Sequence, residues 1–518
     1  MILDFKTLSD KVAGCWVGKN IGGVLGAPFE CKRGVFDVSF YTQDLSNGPP
    51  PNDDLDLQII WLAAVERYGR NVNASILGEY WLSFVTPNWV EYGMGKNNLR
   101  AGLVPPLAGV VDNNYKDSCG CFIRSEIWAC LAPGHPDIAA RYAYEDAIVD
   151  HADDGMHGEI FFAALQSAAF VESDRDTLVD IGLSYIPEDS AVARTVKEAQ
   201  RCYKEGVPFE EMRKRIHAIA PGTFGVIGKK LSEVDVEDDF EIGVPGFDAP
   251  ENIGYTIAAW YYGEDDFGKS LCLVVNCGED TDCTAATLGA IMGIISGAAA
   301  LPEKWTAPLN DVIETMCINK TSGGVWVPKT ATELADRILR VIPSFLGTQV
   351  CDLFAPGGYT INALSGDELF GIRTHEYLMY HAGHASDQRL LPIFELIGSS
   401  PYVVREEHPG FRVAIDYHEG PFFKTGVPRK LTVSVSDNSY MRQQQWVNIR
   451  LWVPQGVDVI GGQEYHLPMS YNYGSKAEAV FEFVDTELFT AGKMEMIVDI
   501  SLTGRHSTAL SKIVLMRS

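Results

Sequence analysis

Four glycines, Gly14, Gly18, Gly22 and Gly26, recur every four residues in a stretch otherwise suited to a helix. That interval is close to one helical turn, so the four line a single face. A face without Cβ atoms lets another backbone approach closely. The first helix is therefore expected to be buried. It runs out in Gly26-Ala27-Pro28-Phe29-Glu30, where a carboxylate follows the glycine face. A lone Glu after a helix is commonly a surface residue; after a buried helix, Glu30 has equal reason to point inward.

Two other segments open apolar stretches with acids. Gly278-Glu279-Asp280-Thr281-Asp282-Cys283-Thr284-Ala285 leads into the small-residue segment Ala285–Leu301, and Asn52-Asp53-Asp54-Leu55-Asp56 leads into Leu57–Val65. Carboxylates ahead of a helix are favoured by its unpaired N–H groups and its dipole. Most such acids are caps or turn residues. Three acids in four residues, however, repel one another unless they are solvated or bridged by cations. Two acidic helix starts suit one shared site for a hard divalent ion, which prefers oxygen ligands. The candidate ligands are Asp53, Asp54, Asp56, Asp280 and Asp282, with the Thr284 hydroxyl completing the set. The plain alternative for Thr284 is a hydroxyl satisfied by its own helical turn.

Net charge is −27, which argues against nucleic acid or an anionic membrane surface as the main partner. The eleven cysteines form no zinc-ligand pattern and fit a reducing cytoplasm. The N-terminus carries Asp4 and Asp10 and no continuous apolar run, unlike a signal peptide. Thr284–Pro302 is uncharged, but it is rich in Gly, Ala, Ser and Thr and abuts two aspartates. A buried central helix is expected there rather than a membrane span.

The fold class expected is multidomain α + β. Residues 1–345 read as an all-α domain, with apolar residues at helical spacing in Leu57–Tyr68, Ile138–Val149, Glu159–Val171, Ala191–Glu205, Phe209–Ala220, Ile253–Tyr262 and Ala285–Leu301. Residues 346–405 form a connector. Residues 406–518 read as an antiparallel β-sandwich, with strands at Phe411–Tyr417, Lys430–Ser436, Trp446–Trp452, Ala479–Val484, Met494–Ser501 and Ile513–Met516.

In order along the chain, these pieces resemble the ADP-ribosylglycohydrolase family over about residues 10–345. The family has a Gly-rich first helix ending in a Gly-x-Pro-x-Glu-like segment, matched by Gly18 to Glu30. Its Thr-Asp-Asp-Thr metal motif is matched by Asn52-Asp53-Asp54-Leu55, and its Asn-Gly-x-x-Met-Arg segment by Cys119 to Arg124. His151 stands where the family has a His opening a later helix. The closing Gly-Gly-Asp-Thr-Asp-Thr-x-Ala motif is matched by Gly278 to Ala285. The resemblance implies an all-α catalytic domain with two Mg²⁺ ions (or Mn²⁺). It implies hydrolysis of an N- or O-glycosidic bond in a small-molecule or protein-linked ADP-ribosyl substrate, or in a related ribosyl compound. Glu30 and Asp54 would be catalytic. His151, Gly120 and Arg124 would bind substrate, although a structural His and a structural ion pair are the commoner uses of such residues.

Several positions depart from the family pattern. Asn52 and Leu55 replace threonines, Cys119 replaces Asn, and Cys283 stands where the family has a hydroxyl ligand, leaving Thr284 or water to substitute. Asp56 adds a carboxylate the pattern lacks, and a register anchored on Gln58 would use Asp54 and Asp56. These departures leave two other readings: a ribosyl-ligand sensor without turnover, and a hydrolase of an unrelated small glycoside. In the latter, Trp446, Trp452, Tyr465 and Tyr471 are candidates for a sugar platform, with core packing as their plainer use. The sandwich would otherwise close the cleft or form an oligomer contact.

Overall fold

The computed structural model describes residues 1–220, 246–320, 323–371, 393–438, 443–470, 475–486 and 488–518. The described chain forms two compact units. One takes in Met1–Asn97 and the described residues from Asp112 to 371; the other takes in Asn98–Val111 and the described residues from Glu395 onward.

The first unit is helical. Its principal elements are α1 (Phe5–Gly26), α2 (Asp56–Tyr68), α3 (Pro136–Ala147), α4 (Asp153–Ala168), α5 (Ala191–Lys204), α6 (Ala249–Gly263), α7 (Phe267–Asn276), α8 (Thr281–Ser296) and α9 (Ala331–Leu346). Asp4 caps α1 by accepting from Thr7 N at 3.0 Å. From Val12 on, α1 is almost wholly buried, as is α8 from Thr281 to Ile294.

These two helices pack backbone to backbone and antiparallel. A Cβ built on Gly14 would lie 2.1 Å from Gly293 O, one on Gly18 2.0 Å from Gly289 O, one on Gly22 1.9 Å from Ala285 O, and one on Gly26 2.2 Å from Thr281 O. The glycine face thus meets the small-residue helix through its whole length. Among the described residues no helix is long and apolar enough to cross a membrane.

The expected boundaries of 345 and 405 differ from the units. Cys351–Asp352 and Thr360–Asn362 form a small sheet with Ile2–Leu3, so that part of the expected connector belongs to the helical unit. Asn98–Val111, counted within the all-α region, belongs to the second unit, because Leu103, Leu107 and Val111 are buried in that unit's core.

The second unit holds two five-stranded sheets. Its strands are β1 (Val403–His408), β2 (Phe411–Asp416), β3 (Phe422–Phe423), β4 (Arg429–Ser436), β5 (Gln445–Trp452), β6 (Val457–Ile460), β7 (Glu464–Met469), β8 (Lys476–Asp485), β9 (Lys493–Leu502) and β10 (Thr508–Arg517). The sheet orders are β7-β5-β9-β10-β3 and β6-β8-β4-β2-β1. Every pairing is antiparallel except the short β10–β3 pair.

Alternation along the strands aims Val433, Ile449, Phe481 and Val498 into one shared core. The same alternation turns Trp446 and Trp452 outward, 43% and 44% exposed, with His466 stacked on Trp446 and Arg450 over Trp452. Core packing is thus not the use of these two tryptophans. Tyr465 packs edge-on against Phe481, and Tyr471 lies outside the described residues.

Candidate functional site

Helix register brings the acids together. Because α1 runs antiparallel to α8, the end of α1 meets the start of α8, and the Thr281 hydroxyl donates to Gly26 O at 2.9 Å. Cys31 N donates to Glu279 O, and Lys32–Arg33 pairs with Gly278–Glu279. Glu30 is held between these ties, beside Asp280. The Asn52–Asp54 turn abuts the same helix, where a Cβ on Gly23 would lie 2.6 Å from Asn52 Nδ2. Asn52 Oδ1 accepts from Asp54 N at 2.7 Å. Gln58 fastens the turn by donating to Asp54 O and to Glu126, while accepting from Ile127 N.

None of these aspartates serves as a helix cap. Neither the Asp280 side chain at α8 nor the residue preceding α2 makes a capping hydrogen bond. Instead the ligand atoms converge in two sets, Asp54 with Asp282 and Cys283, and Glu30 with Asp280 and Asp282, each within 4.8 Å. Asp282 belongs to both. Asp54 Oδ2 and Asp282 Oδ1 are buried without a hydrogen-bond partner. Buried polar oxygens are rarely left unpaired, so these donors fit a divalent cation. Asp53 flanks the sets, with its Oδ2 accepting from Tyr92 Oη at 3.0 Å.

Burial raises every one of these acids. Burial, then mutual repulsion, pushes Asp282 well above the carboxylate range; the added charges are Asp54, Glu30, Asp280 and Asp53. Asp54 is likewise raised by burial, against the pull of the Lys19 ammonium. Asp53 and Asp280 shift upward too, chiefly through burial. Glu30 reaches solvent, yet partial desolvation and then the charges of Asp280 and Asp53 lift it to about 7.

An acid raised in this way favours the folded state while protonated. Its contribution is present below the unfolded value and fades as pH rises through the folded value. For Glu30 that window runs from 4.5 to about 7. We expect the metal-free protein to lose thermal stability as pH climbs through this window, and a divalent cation to restore it. Melting curves across that range, with Mg²⁺ or with EDTA, check this; identical curves would refute it.

Five expected site residues make their contacts elsewhere. Asp56 turns to the backbone, its Oδ2 accepting from Met316 N at 2.7 Å and from Cys317 N. Asp56 therefore joins neither ligand set. The Thr284 hydroxyl donates to Asp280 O at 3.0 Å and to Thr281 O at 3.2 Å, so it is turned back onto its own helix.

His151 is fully buried, with Nε2 2.8 Å from Ser118 Oγ and Nδ1 3.0 Å from Asp150. Burial lowers its pKa, which suits a neutral structural imidazole. Arg124 is fully buried among Asp150 at 2.8 Å, Asp146 at 3.1 Å and Glu159 at 3.8 Å. With three carboxylates around it, the guanidinium holds the fold rather than a ligand phosphate. Arg124→Met leaves those acids uncompensated and should cost about 3–5 kcal/mol in a urea titration; a loss under about 1 kcal/mol would contradict that role. Gly120 backs onto Glu91, whose Oε1 would lie 2.0 Å from a Cβ there.

Sequence reasoning passed over Cys283 as a ligand and missed Lys19. Lys19 is buried on α1, 3.1 Å from Glu126, and its charge acts on Asp54.

A helical unit with an acid-lined centre at the meeting of two buried helices defines the class. The family description ADP-ribosylglycohydrolase matches residues 5–344. The chain belongs to the ADP-ribosylglycohydrolase family. An uncharacterized protein of Archaeoglobus fulgidus is 26% identical over 218 residues, 42% of this chain. The match spans 59% of that relative's length. A solved structure described as an ADP-ribosylglycohydrolase-related protein complex is 18% identical, with a TM-score of 0.42, covering 66% of this chain and 99% of that one.

Proposed function

We propose that this protein is a metal-dependent hydrolase of an N- or O-glycosidic bond to ADP-ribose or a related ribosyl compound. The observation that carries this reading is the convergence of Glu30, Asp54, Asp280 and Asp282 from three distant segments, with buried carboxylate oxygens left unpaired.

Asp54, Asp280, Asp282 and Glu30 would hold Mg²⁺ or Mn²⁺, with Asp53 beside them. Bound divalent ions supply positive charge that orients ribose hydroxyls and polarises water. The chain's own part is acid–base and electrostatic. Glu30 reaches solvent at the edge of the acid cluster, which suits it to take a proton from attacking water. Asp54 can share that role from the buried side. The acidic surroundings favour the positive charge that builds at the anomeric carbon as the bond breaks. Tyr92 holds Asp53 by its hydrogen bond, and the buried Arg124 cluster braces the segment after Gly120. All eleven cysteines are free, and a cytoplasmic location belongs to this reading.

The test is release of ADP-ribose from α-NAD⁺ and from ADP-ribosyl-arginine, with Mg²⁺ or with EDTA. Cation-dependent release is expected. No release from these or smaller ribosides, under any divalent ion, would sink the proposal. Ribosyl-ligand binding without turnover would move the function to sensing.

A further inference from the structure

We infer that the half of this centre formed by Asp54, Asp282 and Cys283 takes a thiolate-ligated, borderline-soft ion such as Zn²⁺, while the half formed by Glu30, Asp280 and Asp282 takes a hard ion. The inference rests on the proposed metal site and goes further by assigning different chemistry to its halves.

Three observations carry it. Cys283 Sγ lies 3.6 Å from Asp54 Oδ1. Two tetrahedral ligands at Zn–S of about 2.3 Å and Zn–O of about 2.0 Å sit ~3.5 Å apart, so one ion fits both. Next, the other oxygens of this set, Asp54 Oδ2 and Asp282 Oδ1, are buried without partners although both residues are over nine-tenths buried. A thiol serving only to fill space would not need unpaired carboxylate oxygens around it. Lastly, the neighbouring hydroxyl is turned back onto its own helix. Thr284, the neighbouring candidate, already donates to Asp280 O and Thr281 O. The second set is made of carboxylates, and the Cys119 thiol reaches it only through a hydrogen bond to Asp280. Thiolate selects Zn²⁺ and its neighbours, whereas carboxylate suits Mg²⁺ and Mn²⁺. On binding, the Cys283 sulfur forms the metal bond and its proton passes to solvent.

Co²⁺ titration of the full chain reads the ligand directly, because a thiolate ligand gives a near-ultraviolet charge-transfer band. We expect that band in the wild type and in Cys119→Ser, and its loss in Cys283→Thr and Cys283→Ser. Calorimetry should show Zn²⁺ affinity falling about tenfold or more in Cys283→Thr, with Mg²⁺ affinity unchanged. Wild-type and Cys283→Thr proteins with the same Co²⁺ spectrum would overturn the inference and leave the proposed function standing. A band lost in Cys119→Ser but kept in Cys283→Thr would overturn it as well. If the folded wild type binds no divalent ion, the proposed function falls with it.

Discussion

Asp282→Ala should abolish cation-dependent hydrolysis and strengthen the metal-free fold at the same time. Asp282 is the one residue common to both ligand sets, so its loss empties both halves of the centre. A fall in turnover of about 10³-fold or more is expected, comparable with removal of a principal electrostatic group elsewhere. Stability should move the other way. Asp282 Oδ1 has no hydrogen-bond partner, and four other acids press on the carboxylate. Taking it away relieves burial cost and repulsion, and the hydrogen bond it gives up is one shared with another crowded acid, Asp280. The EDTA-treated variant should therefore melt at or above the wild-type temperature, and Mg²⁺ should no longer raise it. Asp56→Ala supplies the contrast: it breaks the bonds to Met316 N and Cys317 N, so it should lower the melting temperature while cation binding persists. Melting curves and ADP-ribose release on both variants decide the matter. An Asp282→Ala protein that still hydrolyses substrate with Mg²⁺ would remove Asp282 from the centre.

That contrast marks where sequence stops being informative. Asp54 and Asp56 are two residues apart in one acidic run, and composition cannot separate them. The separation comes from the turn, in which Asn52 and Gln58 aim Asp54 toward α8 and leave Asp56 facing the 316–317 backbone. Cys283 and Thr284 pose the same problem. Both open α8, and helix phase alone decides which one reaches Asp54. Arg124 was ambiguous because Asp146, Asp150 and Glu159, which enclose it, lie far along the chain. By contrast, the glycine face and the small-residue helix were legible, since their spacing is a property of each segment by itself. Long strands such as β8 and β9 showed their alternation for the same reason. β1 and β7 did not: both are edge strands, half-exposed and polar, and β7 contains Pro468.

Gly18→Ala should be among the most damaging single-methyl changes in the chain. The added Cβ would sit 2.0 Å from Gly289 O and 2.7 Å from its carbonyl carbon. Backbone atoms cannot rotate aside as a flexible side chain can, so α1 and α8 must separate. A Cβ on Gly289 would in return lie 2.2 Å from Gly18 O, so neither helix has slack to give. A loss of about 4 kcal/mol or more is expected, and Gly18→Val should yield no soluble protein. The damage also reaches the site. The end of α1 carries Glu30 and the start of α8 carries Asp280 and Asp282, so separating the helices opens the Glu30 set. Any folded Gly18→Ala protein should then bind divalent ions more weakly even though no ligand has changed. Gly492→Ala is the control, because nothing lies within 4 Å of a Cβ there, and it should stay within about 0.5 kcal/mol of wild type. Urea midpoints and cation titrations on the two alanine variants make the comparison. If they unfold at the same midpoint, the two backbones are not in contact, and the register that sets Glu30 beside Asp280 loses its basis.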